Sequence, residues 1–134
     1  MTFSLHPNLN TKTFVIDLPL CRVLLEDNHY YPWLFLVPRR PNIIRTIDLK
    51  SSDQIQLLHE TNQAQKILWN NFQPTQINVA AIGNKTPQLH VHIIARNSKD
   101  PAWPNTVWDH PSSTPYPVEK KNSVLKLLVK AFSV

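Results

Sequence analysis

The stretch Pro87 to Arg96, PQLHVHIIAR, constrains the fold of this chain more than any other. Successive side chains of an extended strand point to opposite faces. Leu89, Val91, Ile93 and Ala95 therefore share one face, and Gln88, His90, His92 and Ile94 share the other. The first set is an apolar, partly β-branched core face. The second is a row of groups that donate, accept and, for histidine, change charge near neutral pH. A fold built around this strand needs a hydrophobic layer behind it and room for polar chemistry in front.

The remaining elements follow from periodicity and turn chemistry. TFVIDLP and LCRVLLE read as β-prone runs, NHYYP as a turn, and WLFLVP as a strand stopped by Pro38, together a hairpin. NIIRTIDL reads as a short extended segment. Ser51 with Gln54 makes a capping-box pattern, and Leu57, Thr61, Ala64, Leu68 and Phe72 form one helical stripe that ends before Pro74. His59 lies off that stripe. QINVAAIG and QLHVHIIAR are two strands joined through Gly83 and Asn84, so an antiparallel pair is expected, with its polar face open near the sheet edge. Residues 98–117 are proline-rich, carry Trp103, Trp108 and Tyr116, and read as a long tail-like loop. Pro117 then opens a last helix whose Val124, Leu125, Leu128 and Phe132 share a face. This order argues an α+β domain, with helices on one face of a mostly antiparallel sheet.

Composition narrows the function. A chain of 134 residues with 42% hydrophobic and 17% charged content makes one domain, residues 1–134, around one core. No apolar run approaches the roughly 18 residues of a membrane helix, and the N-terminus lacks a basic start with an apolar centre, so a cytoplasmic protein without membrane contact is expected. The lone cysteine, Cys21, suits a reducing compartment and reads as a small buried residue. The 14 Lys and Arg against 9 Asp and Glu favour an anionic small ligand. These cations are scattered without interleaved aromatics, which argues against a specific nucleic-acid surface. Gly83 is the only glycine, so the phosphate loop GxxxxGK[ST] and the dinucleotide fingerprint GxGxxG are both excluded.

Three readings of the histidine row stand. Satisfied polar core residues are the default for His6, His29, His59 and His110, and one possibility for the His90 and His92 pair. A metal site is another, although no HExxH, cysteine pair or acidic cluster supplies a third ligand. The third is nucleophilic catalysis on a phosphorus centre.

The third reading is where the residues meet a family. QLHVHII resembles the histidine triad signature, His-φ-His-φ-His-φ-φ with φ apolar. It departs at one position, where Gln88 replaces the first histidine. LCRVLLEDNHYYPWLFLVPRRPNIIRTIDL resembles the family's first hairpin and its L-V-x-P-x-R/K strand, and SSDQIQLLHETNQAQKIL falls where its long helix begins. Most of residues 14–97 is covered. The tryptophan-bearing tail at about 98–117 and the last helix at about 118–132 are similar to a bacterial branch of the diadenosine-tetraphosphate-hydrolase type.

The resemblance implies a mostly antiparallel, about five-stranded sheet with a long central helix and a C-terminal helix. It also implies a homodimer, a nucleotide substrate, and no cofactor or metal. His90 would attack the α-phosphorus of a nucleotide derivative to give a nucleotidyl-histidine, oriented by the backbone carbonyl of Gln88. His92 would hydrogen-bond the phosphate or leaving-group oxygen, and Gln88 would stand at the phosphate. Glu26 would bind the ribose hydroxyls, with Asn78 and, less directly, Asn84 at the phosphate. Apart from the resemblance, Trp103 and Trp108 on the proline-rich segment read first as aromatics packed against the domain, and otherwise as groups that close over the nucleotide or reach a partner subunit's pocket. A nucleotide-binding module with little turnover and a His-x-His metal enzyme are the alternatives.

Overall fold

Five strands form one antiparallel sheet in the computed structural model, which describes residues 2–133. In chain order the elements are α1 (Pro7–Asn10), β1 (Thr13–Asp17), β2 (Cys21–Leu25), β3 (Trp33–Pro38), α2 (Ser51–Phe72), β4 (Gln76–Ala81), β5 (Val91–Arg96) and α3 (Val118–Phe132). The strands lie side by side as β1-β2-β3-β5-β4. The expected α+β architecture, with a long central helix and a C-terminal helix, is the one observed.

The alternation in β5 sorts the interior into two cores. Val91, Ile93 and Ala95 join Val23, Leu34 and Leu36 in the larger one, which α2 and α3 cover with Leu57, Ala64, Leu68, Val124, Leu128 and Phe132. The opposite sheet face holds a smaller core of Leu24, Trp33, Phe35, Val37 and Ile94. Among the described residues no helix of ordinary length covers it. Leu9 from α1, with Ala102 and Val107 from the loop after β5, packs there instead.

Several local expectations change. Helix α2 begins at Ser51, but its N-cap is Lys50 without a side-chain cap, and Gln54 Nε2 donates to the Leu49 carbonyl rather than closing a capping box. NIIRTIDL is not extended: Thr46–Asp48 form a 3-10 turn in which Asp48 Oδ2 accepts from the Ile44 and Arg45 amides. Strand β5 lies inside the sheet between β3 and β4, so its polar face is not at an edge. The segment 98–117 is no tail. Asp100 forms a buried two-bond pair with Arg96, which is sandwiched between the rings of Tyr31 and Trp103, and this fixes the loop onto the sheet.

Helix α2 also carries a carboxylate that its apolar stripe does not reveal. Glu60 is fully buried and accepts hydrogen bonds from the Leu20 amide at 2.9 Å, the Cys21 amide at 2.7 Å and Gln56 Nε2 at 2.7 Å. It satisfies two N–H groups where the β1-β2 connection enters β2. A buried donor left without a partner costs about 1–3 kcal/mol. Glu60→Ala should therefore lower unfolding free energy by about 2–6 kcal/mol in urea titrations, and Glu60→Gln by clearly less, since its amide oxygen still accepts.

Candidate functional site

The two motif histidines sit side by side on the helix-free face, 6% and 5% exposed for His90 and His92, with ring centroids 5.0 Å apart. His90 Nδ1 lies 2.7 Å from the Gln88 carbonyl oxygen. A carbonyl only accepts, so the bond assigns the proton to Nδ1 and leaves the lone pair of the neutral ring on Nε2. His92 is held in the opposite sense. Trp33 Nε1 donates to His92 Nδ1 at 3.0 Å, and an indole N–H cannot accept. His92 Nδ1 is thus unprotonated and its Nε2 carries the hydrogen. The pair presents one nucleophilic nitrogen beside one N–H donor.

Register explains the neighbours. Phe35 of β3 and Ala80 of β4 stand opposite His92, and Trp33 and Asn78 stand opposite Ile94. The His92 ring lies 4.8 Å from that of Phe35, 5.7 Å from Trp33 and 5.0 Å from Trp108. This apolar enclosure, with His90 and Lys12 adding like charge, pushes the His92 pKa down to about 3. His92 stays neutral at physiological pH and acts as a hydrogen-bond donor rather than a cation.

Two cavities meet at His90. One, of about 420 Å³, is lined by Lys12, Glu26, Trp33, Phe35, Asn84, Thr86, His92 and Trp108, among others. The second, of about 340 Å³, is lined by Arg45, Thr46, Gly83 and Asn84 around the same ring. Among the described residues no group of three or more His, Cys, Asp or Glu side chains is placed to hold a metal ion. Because His92 Nδ1 accepts from Trp33, its Nε2 holds the hydrogen, and the pair offers one free ring lone pair, on His90 Nε2, so the donor set does not fit the metal alternative.

The structure sorts the other sequence candidates. Glu26 lines the larger cavity, and its carboxylate is held by Lys12 Nζ at 2.9 and 3.0 Å. Asn84 lines both cavities. Asn78 lines neither, because its Oδ1 accepts from Arg96 and is committed to the Arg96–Asp100 anchor. Of the two asparagines, Asn84 is the one that faces the cavities at His90. Gln88 contributes its carbonyl to His90, but its side chain bonds to the N-terminal segment and lines neither of the two cavities at His90. Trp108 lines the larger cavity within its own protomer, whereas Trp103 packs on Arg96. Lys12, Trp33 and Phe35 escaped the sequence reading. Trp33 and Phe35 alternate on a strand and could have been placed by register, but nothing in the sequence points Lys12 toward the histidines.

The low His92 pKa sets a pH dependence of stability. In the unfolded chain this histidine takes a proton near pH 6.5, but in the folded protein it resists until about 3. The unfolded state binds more protons across that window, so stability falls as pH drops from 6.5 toward 3, with a slope approaching about 1.4 kcal/mol per pH unit. Urea midpoints measured from pH 7 to 5 should show this loss in the wild type and a shallower one in His92→Asn.

The HIT domain matches residues 8–99 of the chain. A histidine triad protein from Bradyrhizobium japonicum superimposes with a TM-score of 0.95 at 39% identity over 98% of each chain. A second, from Marinobacter aquaeolei VT8, gives 0.95 at 36% identity over 99% of this chain and 98% of that one. A third, from Sinorhizobium meliloti 1021, gives 0.93 at 35% identity over 97% of each. These matches take in the tryptophan-bearing loop and α3 as well as the motif strand. No match was found among functionally curated proteins. With a domain match across most of its length and whole-chain likeness to three histidine triad proteins, the chain belongs to the HIT-domain family.

Proposed function

We propose that this protein is a nucleotidyl hydrolase or transferase acting through a covalent intermediate on His90. Nε2 of His90 attacks the α-phosphorus of a nucleotide phosphoanhydride or phosphoramidate. The P–N bond forms as the bond to the leaving oxygen or nitrogen breaks. Water or another acceptor then attacks the same phosphorus, gives up a proton and returns the electron pair to Nε2. The observation that carries this reading is the 2.7 Å bond from His90 Nδ1 to the Gln88 carbonyl, which fixes the ring with its second nitrogen as the nucleophile.

The rest of the site supports the same chemistry. His92 Nε2–H is a fixed donor, and one such donor aimed at developing oxyanion charge contributes about 2.7–4 kcal/mol. The two cavities at His90 give separate space to the nucleoside and to the departing group, the latter beside Arg45 and Asn84. Glu26 keeps acceptor capacity for ribose hydroxyls. The pattern suits the diadenosine-tetraphosphate-hydrolase type of substrate. The unpaired, buried Cys21 fits a cytoplasmic protein.

A second reading, a nucleotide-binding module with slow turnover, has one observation in its favour. Neither Gln88 nor the neutral His92 brings positive charge to a leaving group. Poor leaving groups should therefore react slowly and good ones fast.

A homodimer also belongs to this proposal. Strand β4 is a sheet edge, and beside it lies an apolar groove lined by Leu57, Leu58, Thr61, Val79 and Val91, next to the exposed Ile47 and Ile55. Such an edge and patch suit a second copy of the chain. Leu58→Asp should convert a dimer to a monomer in sedimentation velocity, and an unchanged sedimentation coefficient would remove this surface from consideration.

The catalytic proposal is tested by intact-mass spectrometry after incubation with dinucleoside polyphosphates and nucleoside phosphoramidates. A nucleotidyl adduct should appear in the wild type, vanish in His90→Ala and persist with a chelator present. Turnover of His90→Ala at the wild-type rate would sink the covalent mechanism.

A further inference from the structure

Gln88, the residue that departs from the family signature, has its side chain fully occupied elsewhere. Its Oε1 accepts from the His6 amide and its Nε2 donates to the Ser4 carbonyl, both at 2.8 Å. Close by, Asn8 Nδ2 donates to Oγ1 of the buried Thr86 at 3.0 Å, and His6 Nδ1 accepts from the Asn8 amide to cap α1. Leu9 is buried in the smaller core. Four anchors thus tie residues 4–9 to the segment that leads into β5 and to the smaller core. The residue they deliver is Lys12. Its ammonium spends two donors on Glu26 and stands 5.3 Å from the Phe35 ring centroid, inside the larger cavity. An ammonium has three donors, so one remains.

We infer that Lys12 is the cation that takes the phosphate of a nucleoside 5′-phosphate in this cavity, and that Gln88 is the positioning residue that holds its segment in place. The inference rests on the nucleotide reading above and adds two residues to it. Lys85 also lines the cavity but is exposed, where water screens its charge. Lys12 is half-buried against an aromatic ring and close enough to His92 to help depress its pKa, so its field reaches the reacting region. The carboxylate of Glu26, bound to one ammonium, still has free lone pairs for hydroxyl donors. The ion pair therefore offers a donor to phosphate and acceptors to a ribose from one place. The chemistry of Gln88 fits the clamp. A primary amide presents an acceptor and a donor side by side and meets a carbonyl and an N–H two residues apart on one backbone. Imidazole nitrogens diverge across the ring and cannot make both bonds.

Calorimetric titration of adenosine 5′-monophosphate and of adenosine into wild type, Lys12→Met, Gln88→Ala and the double variant tests this. Each single variant should weaken monophosphate binding about tenfold, which is about 1.4 kcal/mol, and change adenosine binding clearly less. The double variant should bind no more weakly than Lys12→Met, because Gln88 acts through Lys12. Gln88→His should behave like Gln88→Ala. If Gln88→Ala does not fold, Gln88→Glu, which keeps the acceptor and loses the donor, takes its place in the cycle. Unchanged monophosphate affinity in Lys12→Met, a parallel loss for adenosine, independent effects in the double variant, or a wild type that binds no monophosphate would each overturn the inference. The adduct assay separates the two ideas. An adduct without a Lys12 effect sinks this inference alone, and a Lys12 effect without an adduct sinks the catalytic reading alone.

Discussion

Everything in this molecule follows from a strand that is buried on both sides. All six residues of β3, Trp33 to Pro38, are buried, with Leu34 and Leu36 on one face and Trp33, Phe35 and Val37 on the other. A sheet with two apolar faces needs two covers. Helices α2 and α3 supply the first. The second is assembled from a short helical turn near the N-terminus and the loop after β5, neither with the continuous apolar stripe of a real helix. Covers of this kind leave gaps, and the gap over β5 is where the two histidines stand.

Because the second cover is irregular, it has to be fastened by polar contacts rather than by packing alone. The Arg96–Asp100 pair is the clearest case. Two charges taken from water are tolerable only when nearly every donor and acceptor is matched. Here the guanidinium satisfies Asp100 twice and Asn78 once, and Asp100 also accepts from the Asn97 and Trp103 amides. The loop that places Trp108 beside His92 is thus held from its first residues. Glu60 does similar service on the other face, joining α2 to the β1-β2 connection.

The larger core was legible in the sequence because it obeys simple periods. Alternation in Leu89 to Ala95 and the four-three spacing from Leu57 to Leu68 each state which side chains face inward. The histidine pair was legible for the same reason, since alternation puts His90 and His92 on one face, whereas the carbonyl behind His90 was implied only by the family likeness. What escaped was long-range and polar. Asn78 and Asn84 are both amides near β5, and only the register with Arg96 decides which one is consumed by structure. Lys12 lies 80 residues from His92 in sequence and reaches the cavity through a turn whose cap, His6, is an uncommon one. Gln88 read as a phosphate-side residue because its partners, Ser4 and His6, lie more than 80 positions away in the sequence.

That distance has a meaning for synthesis. The bonds from Gln88 to Ser4 and His6 close loops of 84 and 82 residues, and Trp33 meets His92 across 59. Contacts of such separation form late, after the loop-closure entropy has been met by other structure. The first hairpin and α2 can assemble as they leave the ribosome, but His92 has no place between Trp33 and Phe35 until β5 exists and stays uncovered until the residues around Trp108 have followed. A truncated or nascent chain consequently carries no finished pocket. The pocket is complete only in a molecule whose synthesis has passed the residues around Trp108.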